Sequence, residues 1–90
     1  MSKIKLLIHT VFKQGEIDSG TSSKSGISLY LSVFLKETLG FKVDERTLVR
    51  YHDAFITEIK DQIRIEPYKL DKLSQYVGYK DFSDFSRTFV

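Results

Sequence analysis

The chain has 90 residues, 41% of them hydrophobic and 29% charged, which supplies enough apolar surface for a small globular core and argues against wholesale disorder. It has no cysteine, which excludes disulfides and thiolate metal sites, suits a reducing compartment and makes the cytoplasm the expected location. A net charge of +2 is low for a nucleic-acid-binding domain, so any such reading needs a local patch of basic residues.

The longest apolar-rich run, residues 27–35, is too short to span a bilayer and contains Ser28 and Ser32, so no membrane segment is expected. The basic start, Lys3 and Lys5, is followed by an apolar stretch. No small-residue cleavage site follows it, and Lys13 and Gln14 interrupt early, so it is not read as a signal peptide.

Ile4, Leu7, Ile8, Val11 and Phe12 fall at helical spacing, with Lys13-Gln14-Gly15 as the predicted stop. Ile4, Leu6 and Ile8 also alternate, which leaves a strand over residues 3–8 as the alternative. Helix is preferred because the pattern outruns strand length. Residues 18–26 are rich in serine and glycine and read as a loop.

The second helix is predicted to start after a Ser25 cap and to run to Leu39. Ile27, Tyr30, Leu31, Phe34 and Leu35 form one stripe, and Leu29 and Val33 add a second apolar face. Apolar residues around so much of a helix predict a central position, with Phe34 deeply buried. Gly40 sits where a left-handed residue ends a helix, and Phe41 is expected to pack back over that end.

Asp44 is the predicted cap of a third helix, with Glu45 complementing its dipole. Leu48, Tyr51 or His52, Phe55, Ile59 and, further on, Ile63 give its buried stripe. Arg46, Thr47, Arg50, Asp53 and Thr57 lie mostly on the other side. The segment from Arg64 to Pro67 is its predicted end, since proline breaks the bond ladder. A fourth helix over about residues 68–77 buries Leu70, Leu73 and Val77. Gly78 makes a turn at positive φ, and Asp81 opens a fifth helix with Phe82, Phe85 and Phe89 at helical spacing. The expected fold is all-α. About five short helices surround a central apolar one in a single helix-turn-helix-like domain over residues 1–90, with a loop at 18–26.

Two stretches carry functional signal. In residues 39–51 a buried helix, a glycine turn and a capped helix present Arg46, Thr47 and Arg50 in the first two turns. A recognition helix uses such positions against base edges, where arginine bonds guanine in bidentate fashion, and Lys42 in the turn can reach a phosphate. The competing reading is the solvated face of an ordinary amphipathic helix.

The second stretch is Val77-Gly78-Tyr79, Asp81, Ser83, Phe85-Ser86-Arg87 and Phe89. It resembles the second helix-turn-helix of AraC-type transcription regulators, over about residues 73–89. The Leu48 and Arg50 pair weakly resembles their first recognition helix. This resemblance implies DNA binding in regulation, with Lys80 and Arg87 as accessory phosphate contacts. Phe82 departs from the proline common in those proteins, and Asp84 puts a carboxylate near the face that would meet DNA. The chain also resembles small helical proteins of Bacteroidetes-type bacteria, through Thr47-Leu48-Val49-Arg50-Tyr51 and Gly78-Tyr79-Lys80-Asp81-Phe82, a likeness that names no activity.

Nothing in the chain has the pattern of a catalytic or metal site. His9 and His52 lack ligand spacing, and Asp18, Asp53 and Glu58 have no nucleophile or phosphate loop around them. The reading is therefore non-enzymatic and needs no cofactor: a helix-turn-helix-like domain binding double-stranded DNA through Lys42, Arg46, Thr47, Arg50, Lys80 and Arg87, in regulation of transcription or of a mobile element. The alternatives are a protein-interaction or self-associating module, or a helical component of a phage or mobile-element assembly.

Overall fold

The structure, a computed structural model, describes residues 2–61 and 63–88. Among these it contains five helices and no strand: α1 (Lys3–Ser19), α2 (Lys24–Leu39), α3 (Glu45–Phe55), α4 (Pro67–Tyr76) and α5 (Phe82–Thr88). The all-α expectation holds, with several boundaries moved.

Ser2 caps α1, its Oγ accepting the Lys5 N–H at 3.0 Å. Residues 3–8 are helical, not a strand, and the helix continues through the predicted stop at Gly15. That glycine is buried, and a Cβ there would lie 2.9 Å from Ile27 Cγ2 and 3.2 Å from Leu31 Cδ2. Its role is close approach of α1 to α2. The actual terminator is Gly20, at φ 75°, whose N–H donates to the Glu16 carbonyl.

The expected loop over residues 18–26 shrinks to residues 20–23. The cap of α2 is Ser23, not Ser25, with Ser23 Oγ accepting the Gly26 N–H at 3.0 Å. Thr21 Oγ1 in turn accepts the Ser23 N–H, so the serine-rich composition serves as capping chemistry. Ile27, Ser28, Leu31 and Leu35 of α2 are buried. The predicted second apolar face is not: Leu29 is 55% and Val33 48% exposed. Phe34 is half-buried, stacked on Tyr30 at 5.6 Å between ring centroids and edge-on to Tyr76 at 5.5 Å. Thus α2 packs on α1, α3 and α4 as a central helix does, but leaves one side open to solvent.

All five helices contribute to one core, with α1, α2 and α3 in mutual contact and α2 most extensively on α3. The fourth helix packs on α1 and α2, and α5 chiefly on α4. Leu7, Ile8, Val11, Leu31, Leu35, Leu48, Leu73 and Phe85 are fully buried. Ser28 and Ser74 are the buried polar residues, and Ser74 Oγ donates back to the Leu70 carbonyl at 2.8 Å.

The third helix stops at Phe55, well before the predicted end. Ile56 and Thr57 both donate N–H bonds to the His52 carbonyl, and Glu58 takes a left-handed φ of 56° that turns the chain away. Ile59, predicted in the buried stripe, is 66% exposed, and Ile63 is half-buried. Ile65 enters the core from the irregular segment instead. Pro67 opens α4 at its first turn, where its missing N–H costs nothing.

Between α4 and α5, Gly78 has φ 96°, as expected, and the Tyr79 N–H donates to the Ser74 carbonyl at 3.0 Å. Asp81 Oδ1 accepts the Asp84 N–H at 2.8 Å, the geometry of the predicted cap. Phe85 is fully buried and meets Tyr79 edge-on and Phe82 face-on; Val77, predicted as buried, is half-buried. Phe89 lies outside the described residues. No helix among the described residues is long and apolar enough to cross a membrane.

Candidate nucleic-acid interface

The turn before α3 is held at both ends. Gly40 takes φ 62°, and the Phe41 N–H donates to the Leu35 carbonyl at 3.1 Å, closing the end of α2. Phe41 and Val43 are buried while Lys42 between them is exposed, so their burial points Lys42 outward. The Phe41 ring also meets Tyr68 of α4 edge-on, fixing the turn to the body.

Asp44 then caps α3, its Oδ1 accepting the Thr47 N–H at 2.8 Å. Hydrogen bonding from the Thr47 side chain and from its N–H, and then the guanidinium groups of Arg46 and Arg50, hold the Asp44 carboxyl below its usual range. Both arginines therefore act on one neighbourhood at the start of the helix. Leu48, Tyr51, Ala54 and Phe55 bury the opposite face, which leaves Arg46 and Arg50 exposed one turn apart. Thr47 is half-buried and committed to the cap, less available than Arg46 or Arg50.

Ion pairing sorts the cations further. Lys5 pairs with Glu58, Lys24 with Asp53, Lys69 with Glu66 and Arg87 with Asp84. Lys42, Arg46 and Arg50 make no ion pair among the described residues. Two carboxylates share the helix: Glu45, half-buried in its first turn, and Asp53, half-buried and bonded to Lys24 Nζ at 2.8 Å, a bond that holds its carboxyl low. The basic character of the face is thus not cancelled by direct ion pairs.

Two clefts flank this helix and bring in residues that the sequence pattern did not single out. One, of about 370 Å³, is lined by Ser32, Lys36, Lys42, Val43 and Asp44. The other, of about 240 Å³, includes Arg50, Asp53, Lys60 and Asp61. Lys36 and Lys60 were missed because each lies outside the turn-and-cap pattern of residues 39–51. Their only signal was charge.

The α4–α5 pair differs in character. Asp71 Oδ1 accepts the Phe82 N–H at 2.9 Å, Asp81 Oδ1 the Asp84 N–H and Asp84 Oδ2 the Lys80 N–H at 3.0 Å. Three carboxylates therefore cover the start of α5, a setting that repels phosphate. Lys80 and Arg87 are exposed, but Arg87 is 3.7 Å from Asp84, and α5 packs on α4 rather than joining the α3 face. The aromatic-rich motif works here as packing.

His9 and His52 line one cleft with Phe12 and Glu16. No group of three or more His, Asp or Glu among the described residues is placed to hold a metal ion. His9 Nε2 lies 3.2 Å from the Phe55 carbonyl oxygen, while His52 Nδ1 is buried without a hydrogen-bond partner and its ring meets Phe12 edge-on.

No protein-family model, no curated protein and no solved structure matches this chain.

Proposed function

We propose that this domain binds double-stranded DNA through the outer face of α3 and the turn before it, as a cytoplasmic helix-turn-helix-like regulator of transcription or of a mobile element. The observation that carries this reading is the set Lys42, Arg46 and Arg50: exposed and unpaired among the described residues, the arginines mounted on a capped helix with a buried back and Lys42 in the turn before it. Arg46 and Arg50 are spaced to reach base edges or flanking phosphates together, and Lys42 supplies a phosphate contact. Lys80 and Arg87 are secondary contacts at most, given the carboxylates around them.

The test is a salt-titrated binding assay on mixed-sequence duplex. Lys and Arg contacts release counterions, so affinity falls steeply with salt. The double change Arg46→Ala with Arg50→Ala abolishes measurable duplex binding and leaves the helical circular dichroism unchanged. Absence of salt-sensitive binding by the unmodified domain at low ionic strength would end this reading. A protein-interaction module is the second reading, favoured by the exposed Leu29 and Val33, one turn apart on α2.

A further inference from the structure

Resting on the DNA reading above, we infer that the cleft where α2 meets the turn before α3 seats one phosphodiester of the DNA backbone between Lys36 and Lys42. Ser32 and Lys36 stand one turn apart on α2 and line one wall; Lys42, Val43 and Asp44 line the other. Lys42 is directed outward by the burial of Phe41 and Val43 on either side of it. Lys36 and Lys42 are exposed, and neither makes an ion pair among the described residues. The half-buried Ser32 places a hydroxyl donor in the same wall.

Charge selects the ligand. Asp44 contributes a carboxylate to the cleft, but its Oδ1 is already bonded to the Thr47 N–H. Two ammonium groups against one carboxylate leave a single net positive charge. A phosphodiester carries one negative charge, whereas a free phosphate or phosphomonoester carries roughly −1.5 to −2 at neutral pH. Asp44 thus admits the first more readily than the second. It also joins the cleft to the Arg46–Arg50 face, so a seated phosphate sets the register of α3 on the duplex. Lys36 has a possible role without any ligand, as a cation at the last turn of α2 complementing the helix dipole. The experiment must separate the two.

Duplex binding is measured by fluorescence anisotropy over a range of salt for the full chain and for Lys36→Ala, Lys42→Ala, Lys36→Arg and Lys13→Ala. A seated phosphate predicts that Lys36→Ala and Lys42→Ala each weaken binding alike on every sequence. Each also flattens the plot of log affinity against log salt by about one unit. Lys36→Arg keeps the slope, and Lys13→Ala, on α1 and lining a different cleft, leaves it unchanged. If Lys36 serves only the dipole, Lys36→Ala lowers thermal stability without moving the slope. If the full chain binds with a steep slope that Lys36→Ala retains, the seat is overturned while the DNA reading stands. If the full chain does not bind duplex at low ionic strength, the DNA reading fails and the seat with it. Inorganic phosphate should displace duplex no better than chloride of equal ionic strength; stronger displacement, lost in Lys36→Ala, overturns the phosphodiester assignment. Binding to phosphatidylglycerol vesicles in place of duplex, with the same Lys36 dependence, assigns the cleft to lipid and overturns it too.

Discussion

Gly15 and Gly78 show two different reasons for a glycine. Gly15 is mid-helix, where glycine is intrinsically unfavourable, and it persists because Ile27 and Leu31 of α2 occupy the space a Cβ would need. Gly15→Ala should cost about 1 kcal/mol net, overpacking of roughly 1–3 kcal/mol being offset by about 1 kcal/mol of helix propensity. Urea unfolding measures it, and a stabilised variant would refute the close-packing account. At Gly78 nothing lies within 4 Å of an added Cβ, so the constraint is the backbone alone, at φ 96°. Gly78→Ala should cost about 1–2 kcal/mol, and retention of full stability would show that the turn relaxes to negative φ.

At the scale of the element, α3 is defined by its two ends. Asp44 satisfies an N–H at the start, and the turn through Glu58 stops the helix after Phe55. Asp44→Ala should destabilise by about 1 kcal/mol through loss of the cap. Asp44→Asn keeps a capping oxygen and removes the charge, so it should preserve stability to within a few tenths of a kcal/mol and tighten duplex binding on the proposed reading. Equal destabilisation by the two changes, read by thermal unfolding, would sink the cap account. In α2 the half-buried Phe34 is less critical than its wholly buried neighbour. Phe34→Ala should cost about 1–2 kcal/mol, and Leu35→Ala about 2–5 kcal/mol. A reversed order in denaturant titration would place Phe34 in an interface between molecules.

For the whole molecule, His52 reports on how three helices meet. It lies on α3, its ring contacts Phe12 of α1, and Lys24 of α2 reaches the adjacent Asp53. Burial, and then the Lys24 ammonium, push its pKa below 6.5, outweighing the opposing pull of Asp53. A folded-state pKa below the unfolded value means that the contribution to stability is present above pH about 6.5 and is lost as pH falls through the folded value. The melting temperature should therefore decline as pH drops from 7 to 5, and His52→Gln should flatten that decline. An unchanged pH profile in the variant would remove His52 as its cause. At the alkaline edge, burial and then donation to Asp18 raise the Tyr76 pKa, so stability is lost as pH rises beyond about 10.

The sequence by itself determined the helical class, the order of five helices, the glycine ends at Gly40 and Gly78, and the caps at Asp44 and Asp81. Each is a local property, written in the spacing of apolar residues or in a side chain that bonds a backbone within a few positions. The outward Arg46 and Arg50 were legible for the same reason, since they lie opposite Leu48, Tyr51 and Phe55 on one helix. What the sequence left open is what another segment must supply. Gly15 looks like a stop until Ile27 and Leu31 are placed against it. Leu29, Val33 and Phe34 look like core until the packing of α1, α3 and α4 commits only one side of α2. Ile59 continues a helical stripe on paper, yet the chain turns at Glu58 and Ile65 fills the core instead. Lys36 joins Lys42 only because the turn through Gly40 folds the end of α2 against the start of α3. Burial and cleft formation are sums over contacts distant in the chain, so only the tertiary structure decides them.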